Sequence, residues 1–358
     1  MIDDLQTKFK ESQIPIQFLE TEDKAKVAIV FERINRRGVD LDTFQLLGAW
    51  TWSEEFDLQS YFEELQDELE PFGFKSVGED VDLLLRCAAG IISRNASAKS
   101  LIELNGNLVR NRFEEVRNGL KGAIDFLKSN LRIEKLENLP YGTLLVPLSS
   151  FFAISGNQQF LYTDEQRLSL LRWFWKTSFS KRYGAGTSRN INKDIEEIIK
   201  LKNNESNVLA DFRLDITPDF YLRNQFRIDS VSTKTFVLQL AQNNPRSFVS
   251  GSPITLGNVL SNYNRNEFHH IFPKAFLKSL SKTDAQINCL ANFCFLSKSD
   301  NNFIGGDRPS LYKKKLPTNI TEILDSTFSS DTIFLDNYEN YLNERATNLW
   351  KNASQLTT

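Results

Sequence analysis

The feature that most constrains the fold is a helical pattern of apolar residues that fills residues 42–245 and then fades. Its segments repeat apolar side chains at the three- and four-residue spacing that places them on one helix face. The strongest segment is residues 164–179, where Thr163 and Gln166 have the spacing of a capping box. Asp42 and Gln45 have the same spacing at the start of the region. The pattern predicts a mainly α protein with a helical body over residues 42–245.

The residue composition changes after Pro245, where glycine and asparagine become frequent. Short β-like runs occur at residues 268–272 and 293–296, and Pro309 marks a helix start after them. We therefore predict that residues 246–358 form a small α+β unit attached to the helical body.

Composition excludes several classes of protein. The chain has 41% hydrophobic and 25% charged residues, which is typical of a soluble globular protein. Its apolar runs are shorter than the roughly 20 residues of a membrane span, and its N-terminus lacks the pattern of a signal peptide. Three cysteines exclude a disulfide framework and a four-cysteine zinc site. We expect a cytoplasmic protein with no membrane partner.

The charges are distributed unevenly. Residues 1–100 carry 11 Lys+Arg against 20 Asp+Glu, whereas residues 101–250 carry 21 against 16. A basic stretch with interleaved tryptophans and no acidic residue runs from residue 171 to 193, and residues 181–190 read as a loop. Cations of this kind bind phosphates. The nucleic-acid contacts we expect are Lys181, Arg182, Arg189 and Lys274. The alternative is that the tryptophans belong to the core and the cations form a solvated rim.

Only two histidines occur in the chain, and they are adjacent: His269 and His270. Chemistry that needs an imidazole base or ligand must therefore use this pair. Side chains alternate across a strand, so one ring can face a metal while the other faces a nucleophilic water. Asparagines follow downstream at Asn288, Asn292, Asn301 and Asn302.

This segment, from the His-His-Ile-Phe-Pro of residues 269–273 to the Pro-Ser-Leu-Tyr of residues 309–312, resembles the HNH (ββα-metal) nuclease finger, and more specifically the HNH part of GmrSD-type restriction endonucleases. The resemblance implies that His270 is the general base and that Asn292 holds the His270 ring by a hydrogen bond. It implies that His269 is a metal ligand and that Asn301 is a second one. Asn302 takes that last role if the register differs by one residue.

The expected chemistry is hydrolysis of a phosphodiester bond. An imidazole, with an unperturbed pKa of about 6.5, can take a proton from water at neutral pH. A divalent cation, Mg²⁺ or Mn²⁺, would neutralise the leaving oxygen and the phosphate. Many HNH sites have an aspartate where this chain has His269. Imidazole also accepts softer ions such as Ni²⁺ or Zn²⁺, so the preferred metal stays open.

Near the N-terminus, residues 31–41 resemble a Phe-x-Arg-Ile-Asn-x-x-Gly-x-x-Leu element found near the end of the nucleotide-handling domain of GmrSD-type proteins. Residues 1–41 are then a remnant of that domain. A separate nucleotide-sensing subunit, or a homo-oligomer, would be its partner.

These patterns predict a metal-dependent DNA endonuclease of the HNH type that acts in restriction or anti-phage defence. Two alternatives stay open. The first is a nuclease subunit that is inactive without a nucleotide-sensing partner, and the second is an RNA-cleaving, toxin-like HNH nuclease.

Overall fold

The computed structural model describes residues 18–21, 30, 57–97, 100–101, 104, 106–318 and 320–358. The motif at residues 31–41 and the capping box expected at Asp42 and Gln45 lie outside the described residues. The described part is mainly helical, as predicted, with one small two-stranded sheet. No helix within it is long and apolar enough to cross a membrane.

The structure describes nine α-helices of the helical body over their full length. They are α1 Leu58–Leu69, α2 Lys75–Glu79, α3 Val81–Ser93, α4 Gly106–Leu131, α5 Leu145–Phe152, α6 Asp164–Phe179, α7 Thr187–Lys202, α8 Asp219–Arg223 and α9 Val231–Gln242. The following part has strands β1 Phe268–His270 and β2 Phe293–Phe295. Its helices are α10 Leu256–Asn262, α11 Lys274–Ser279, α12 Asp284–Ile287, α13 Lys298–Ile304, α14 Pro309–Tyr312, α15 Ile320–Ser326 and α16 Tyr338–Thr357.

Helix α6 begins and ends where the pattern predicts. The Thr163 hydroxyl accepts from the Gln166 N–H, and the Gln166 side chain accepts from the Thr163 N–H. This capping box satisfies two backbone donors that the first turn would otherwise leave unpaired. The loop predicted for residues 181–190 is wrong at its end, because α7 already begins at Thr187. The Asn190 side chain, within the first turn of α7, donates to the Arg182 and Ala185 carbonyls and closes the connection.

The core of the helical body is densest where α4 crosses α5. All eight residues of α5 are buried. A Cβ added at Gly119 would lie 2.5 Å from the Ser149 carbonyl oxygen, and one at Gly122 would lie 2.6 Å from the Phe152 Cβ. Two glycines on one face of α4 therefore allow the close approach of the two backbones.

The C-terminal helix α16 returns to the helical body and packs against α6 and α8. The Gln239 side chain of α9 donates to the Leu349 carbonyl, and the Trp350 indole donates to the Ile216 carbonyl. One hydrophobic cluster extends from Leu58 to Ala353. Residues 246–358 and the helical body thus share a core.

Candidate active site

Strands β1 and β2 form a short antiparallel ladder in which His269 lies opposite Cys294 and His270 lies opposite Phe293. The sheet is anchored from below by the buried ring of Phe268, which packs on Phe226 and Phe295. Helices α11 and α12 lie between the two strands in the chain, and helix α13 follows β2. Both histidine side chains are partly exposed on this small platform.

The His270 ring is held from two sides. Its centroid lies 4.3 Å from that of Phe293. Its Nε2 lies 3.0 Å from the Asn288 side-chain oxygen. The Asn288 amide nitrogen donates to the Asp284 carbonyl, which fixes the oxygen as the atom that faces the ring. Because that oxygen can only accept, Nε2 carries the hydrogen, and the basic lone pair of the neutral ring is on Nδ1.

The expectation that Asn292 holds the His270 ring is wrong about the partner. Asn292 is fully buried, and its side chain bonds both the N–H and the carbonyl of Phe272 at 2.9 and 3.2 Å. It also donates to the Ile287 carbonyl at 3.0 Å. The reason is position: Asn292 lies in the turn before β2, below the platform, whereas Asn288 lies beside the ring. Asn292 therefore fixes the backbone just after the histidine pair.

His269 lies on the other side of β1, and its Nε2 is 3.0 Å from the Asn266 carbonyl oxygen. That carbonyl accepts, so the lone pair of the neutral His269 ring is also on Nδ1. A metal-bound histidine usually donates its second ring N–H to a carbonyl or carboxylate in this manner. Asn301 and Asn302 lie on α13, with Asn301 partly exposed and Asn302 exposed. Within the described residues, no three His, Cys, Asp or Glu side chains are grouped as a metal site.

Three residues that the sequence analysis did not assign to the site also fix the backbone beside it. The Tyr312 hydroxyl donates to the Ile271 carbonyl at 3.0 Å. The Arg345 side chain, 1% exposed, donates to the Ala291 carbonyl at 2.6 Å. The Tyr338 hydroxyl donates to the Gln286 carbonyl at 2.6 Å. Tyr312 belongs to the Pro-Ser-Leu-Tyr run, so the sequence carried a signal for it, whereas Arg345 and Tyr338 come from the distant helix α16.

The four cations expected to bind nucleic acid have different surroundings. Arg182 is used inside the protein: its guanidinium bonds both oxygens of Asp194, with a shortest distance of 2.7 Å, and its side chain is only 12% exposed. Lys181 is exposed, and its ammonium lies 3.3 Å from the Asn224 side-chain oxygen. Arg189 is exposed on α7, and Lys274 is exposed at the start of α11.

The tryptophans of the basic segment belong to the core, as the alternative interpretation held. Trp173 and Trp175 are buried, and the Trp173 indole donates to Asp194 at 3.0 Å. The Tyr183 hydroxyl donates to the same carboxylate at 2.8 Å. We call Trp173, Arg182, Tyr183 and Asp194 the Asp194 cluster. We call His269, His270, Asn288 and Asn292 the His270 cluster.

No family model matches the chain. It is similar to an uncharacterised protein of Methanocaldococcus jannaschii, with 24% identity over 314 residues that cover 81% of this chain. The chain spans about half the length of that relative (50%).

Proposed function

We propose that the chain is a metal-dependent DNA endonuclease of the HNH type that acts in the cytoplasm in restriction or anti-phage defence. The observation that supports this most is the His270 ring, which Asn288 orients by accepting the hydrogen of Nε2. The ring is partly exposed at the end of β1, and helix α13 follows its partner strand β2, which fits the two strands and helix of the ββα finger that the sequence resembles.

The proposed step uses His270 as a general base. Its Nδ1 takes a proton from a water molecule while the water oxygen attacks phosphorus. The bond from phosphorus to the 3′ oxygen breaks, and that oxygen takes a proton from a second water molecule, which leaves a 5′-phosphate and a 3′-hydroxyl. A positioned base of this kind contributes a rate factor of about 10² to 10⁴. Asn288 orients the base, and Asn292 fixes the backbone that carries it.

His269 and Asn301 would hold the divalent ion. When bound, the ion supplies positive charge for the phosphate and the leaving oxygen. An imidazole nitrogen and an amide oxygen are both uncharged donors, and the second ring nitrogen of His269 already bonds a carbonyl oxygen. The amide oxygen suits Mg²⁺ or Mn²⁺, and the imidazole nitrogen also accepts softer ions such as Ni²⁺ or Zn²⁺.

The test is plasmid cleavage by the purified chain with Mg²⁺ or Mn²⁺, on unmodified and phage-modified DNA. We expect His270→Ala to lower the cleavage rate at least about 100-fold, the lower bound for loss of a general base. Added imidazole should restore part of the lost rate, because it replaces the base without refolding the protein. Retention of full activity by His270→Ala would overturn the role of His270.

A second candidate is a nuclease subunit that needs a nucleotide-sensing partner. The observation that favours it is the greater length of the archaeal relative, of which this chain spans 50%. In that case the chain alone cuts no DNA, and cutting appears when the partner and a nucleotide are added. Parallel RNA and DNA substrates distinguish both candidates from a ribonuclease.

A further inference from the structure

A cleft of about 420 Å³ lies where the end of α6 meets the connection between α8 and α9. None of the residues that line it is acidic, and three are cations: Lys181, Arg223 and Arg227. Its polar lining includes Asn224, Gln225 and Ser232. Only Lys181 lies in the basic stretch of residues 171–193, and the other two cations come from a separate stretch of chain.

The floor of the cleft is organised by Asn224. Its side-chain oxygen accepts from the Ser232 hydroxyl at 3.0 Å and from the Lys181 ammonium at 3.3 Å. Its amide nitrogen donates to the Phe220 carbonyl at 2.8 Å, so the oxygen is oriented toward the cleft residues. Lys181 itself has a φ of 54°, a left-handed backbone conformation that favours glycine. A lysine at this position places an ammonium group at the cleft despite that cost.

The two arginines present charge to solvent. The Arg223 side chain is 80% exposed and pairs with Asp219 on its own helix at 2.8 Å, an exposed pair that contributes little stability. Arg227 is exposed and has no carboxylate partner within the described residues. Asp229, two residues further on, is the other exposed acid of this stretch. The first turn of α9 adds backbone N–H groups at Val231 and Ser232, which favour an anion.

The cleft is joined to the His270 cluster through one extended segment of backbone. The Asn224 carbonyl accepts from the Leu290 N–H at 2.9 Å, and the Phe226 N–H donates to the Asn288 carbonyl at 2.8 Å. The Phe226 ring stacks on Phe293 at 4.3 Å, the same ring that supports His270. Side chains alternate along an extended segment, so the inward Phe226 leaves its neighbours Gln225 and Arg227 directed outward into the cleft.

We infer that this cleft binds backbone phosphates of the DNA whose scissile bond is at His270, with Lys181, Arg223 and Arg227 as the contacts. The inference rests on the proposed function for the identity of the polyanion. Three cations without a lining acid, a built floor and a direct backbone connection to the base together fit a phosphodiester strand that continues past the site.

The experiment measures binding of a short DNA duplex by fluorescence anisotropy, in EDTA so that no cleavage occurs, over a range of salt concentrations. The variant is Arg223→Ala/Arg227→Ala. The control is Lys75→Ala/Arg167→Ala, which removes one exposed and one partly exposed cation, each paired with a nearby carboxylate. Arg167 lies near the opposite end of α6 from Lys181, roughly 20 Å away at 1.5 Å per residue.

We expect the cleft variant to reduce the slope of log affinity against log salt by about 2, or about 1 for each lost phosphate contact, and to bind at least about tenfold more weakly. The control variant should bind as the unchanged chain does. Lys181→Gly should reduce the slope by about 1 while folding at least as stably, since glycine accepts the left-handed backbone.

An unchanged slope in the cleft variants, or no DNA binding by the unchanged chain, would overturn the inference. The proposed function fails by a different result. If His270→Ala still cuts DNA while the cleft variants bind weakly, the cleft inference stands and the role of His270 does not.

Discussion

The Asp194 cluster in the helical body and the His270 cluster beside β1 both surround polar side chains with hydrogen bonds, but they differ in exposure. Asp194 is 1% exposed, and its two oxygens accept from an indole, a guanidinium and a phenol. His269 and His270 are partly exposed, and the Nε2 atom of each ring lies 3.0 Å from a fixed oxygen. The first cluster is closed to solvent, and the second is open to it.

The difference shows why the number of cations in a sequence segment overestimates the number that are available to bind phosphate. Arg182 looked like a phosphate contact in the basic stretch, but its charge is neutralised by a carboxylate twelve residues further along the chain. Burial also raises the pKa of Tyr183 well above its ordinary value, and the adjacent Asp194 raises it further, so this phenol stays a hydrogen-bond donor. The buried Asp194 cluster stabilises the fold, whereas the exposed His270 cluster is accessible to a substrate.

The largest effect on stability should follow from opening the Asp194 cluster. Asp194→Ala leaves the buried Arg182 charge and two donors without an acceptor, and loss of one partner of a buried ion pair costs about 3–5 kcal/mol. Urea unfolding followed by circular dichroism measures this loss. The double variant Asp194→Asn/Arg182→Gln, which removes both charges together, should cost less. Equal losses in the two variants would show that the charge pair is not what holds the cluster.

The next largest loss of stability should follow from changing Asn292 of the His270 cluster, and Asn288 of the same cluster serves as its control. Asn292→Ala leaves the Phe272 N–H and carbonyl and the Ile287 carbonyl without this partner. Buried groups left unpaired cost about 1–3 kcal/mol each, so we expect a total loss of at least about 2 kcal/mol in urea unfolding.

Asn288→Ala is the matched control, because its side chain is partly exposed and bonds the His270 ring and the Asp284 carbonyl. We expect a stability loss of about 1 kcal/mol, close to that of an ordinary hydrogen bond. In the proposed nuclease this variant should lower kcat and shift the pH profile of cleavage, since the base loses its orientation. A larger stability loss for Asn288→Ala than for Asn292→Ala would reverse the roles assigned here.

A smaller effect concerns two buried thiols, one in each region. Burial raises the pKa of Cys87 in α3 and of Cys294 in β2 to about 12, from a usual value near 9. The unfolded chain therefore loses these protons first as pH rises, so the free energy of unfolding should fall above about pH 9. We expect about 1 kcal/mol for each thiol between pH 8 and pH 10.

Urea unfolding at the two pH values measures this fall. Cys87→Ala/Cys294→Ala should lose the thiol part of it and keep the part due to buried tyrosines. An identical pH dependence in the double variant would exclude the thiols as its cause.

The smallest expected effect is the effect of changes in the Asp194 cluster on DNA binding. Asp194→Asn/Arg182→Gln should leave the salt slope of DNA binding unchanged, because Arg182 is engaged inside the protein. Lys181→Gly, one residue away, should lower that slope by about 1. Anisotropy titrations of both variants compare them directly. A lower salt slope for the Asp194→Asn/Arg182→Gln variant would mean that Arg182 contacts DNA.

Much of the local structure could be predicted from the sequence. The bounds of α6, the positions of the two short strands and the helix start at Pro309 were predicted, because periodicity, capping boxes and proline act within a few residues. The strands are shorter than the predicted runs, since β1 ends at His270 and β2 at Phe295. The sequence also indicated the histidine pair as the candidate site, since the chain contains no other imidazole.

The sequence by itself thus determined where helices and strands form and which residue types can do acid–base chemistry. Only the tertiary structure decided which asparagine contacts His270, that Arg182 is internal, and that Arg223 and Arg227 lie beside Lys181. The physical reason is that these contacts join segments 12 to more than 40 residues apart, where partners are chosen by packing of a shared core rather than by local spacing.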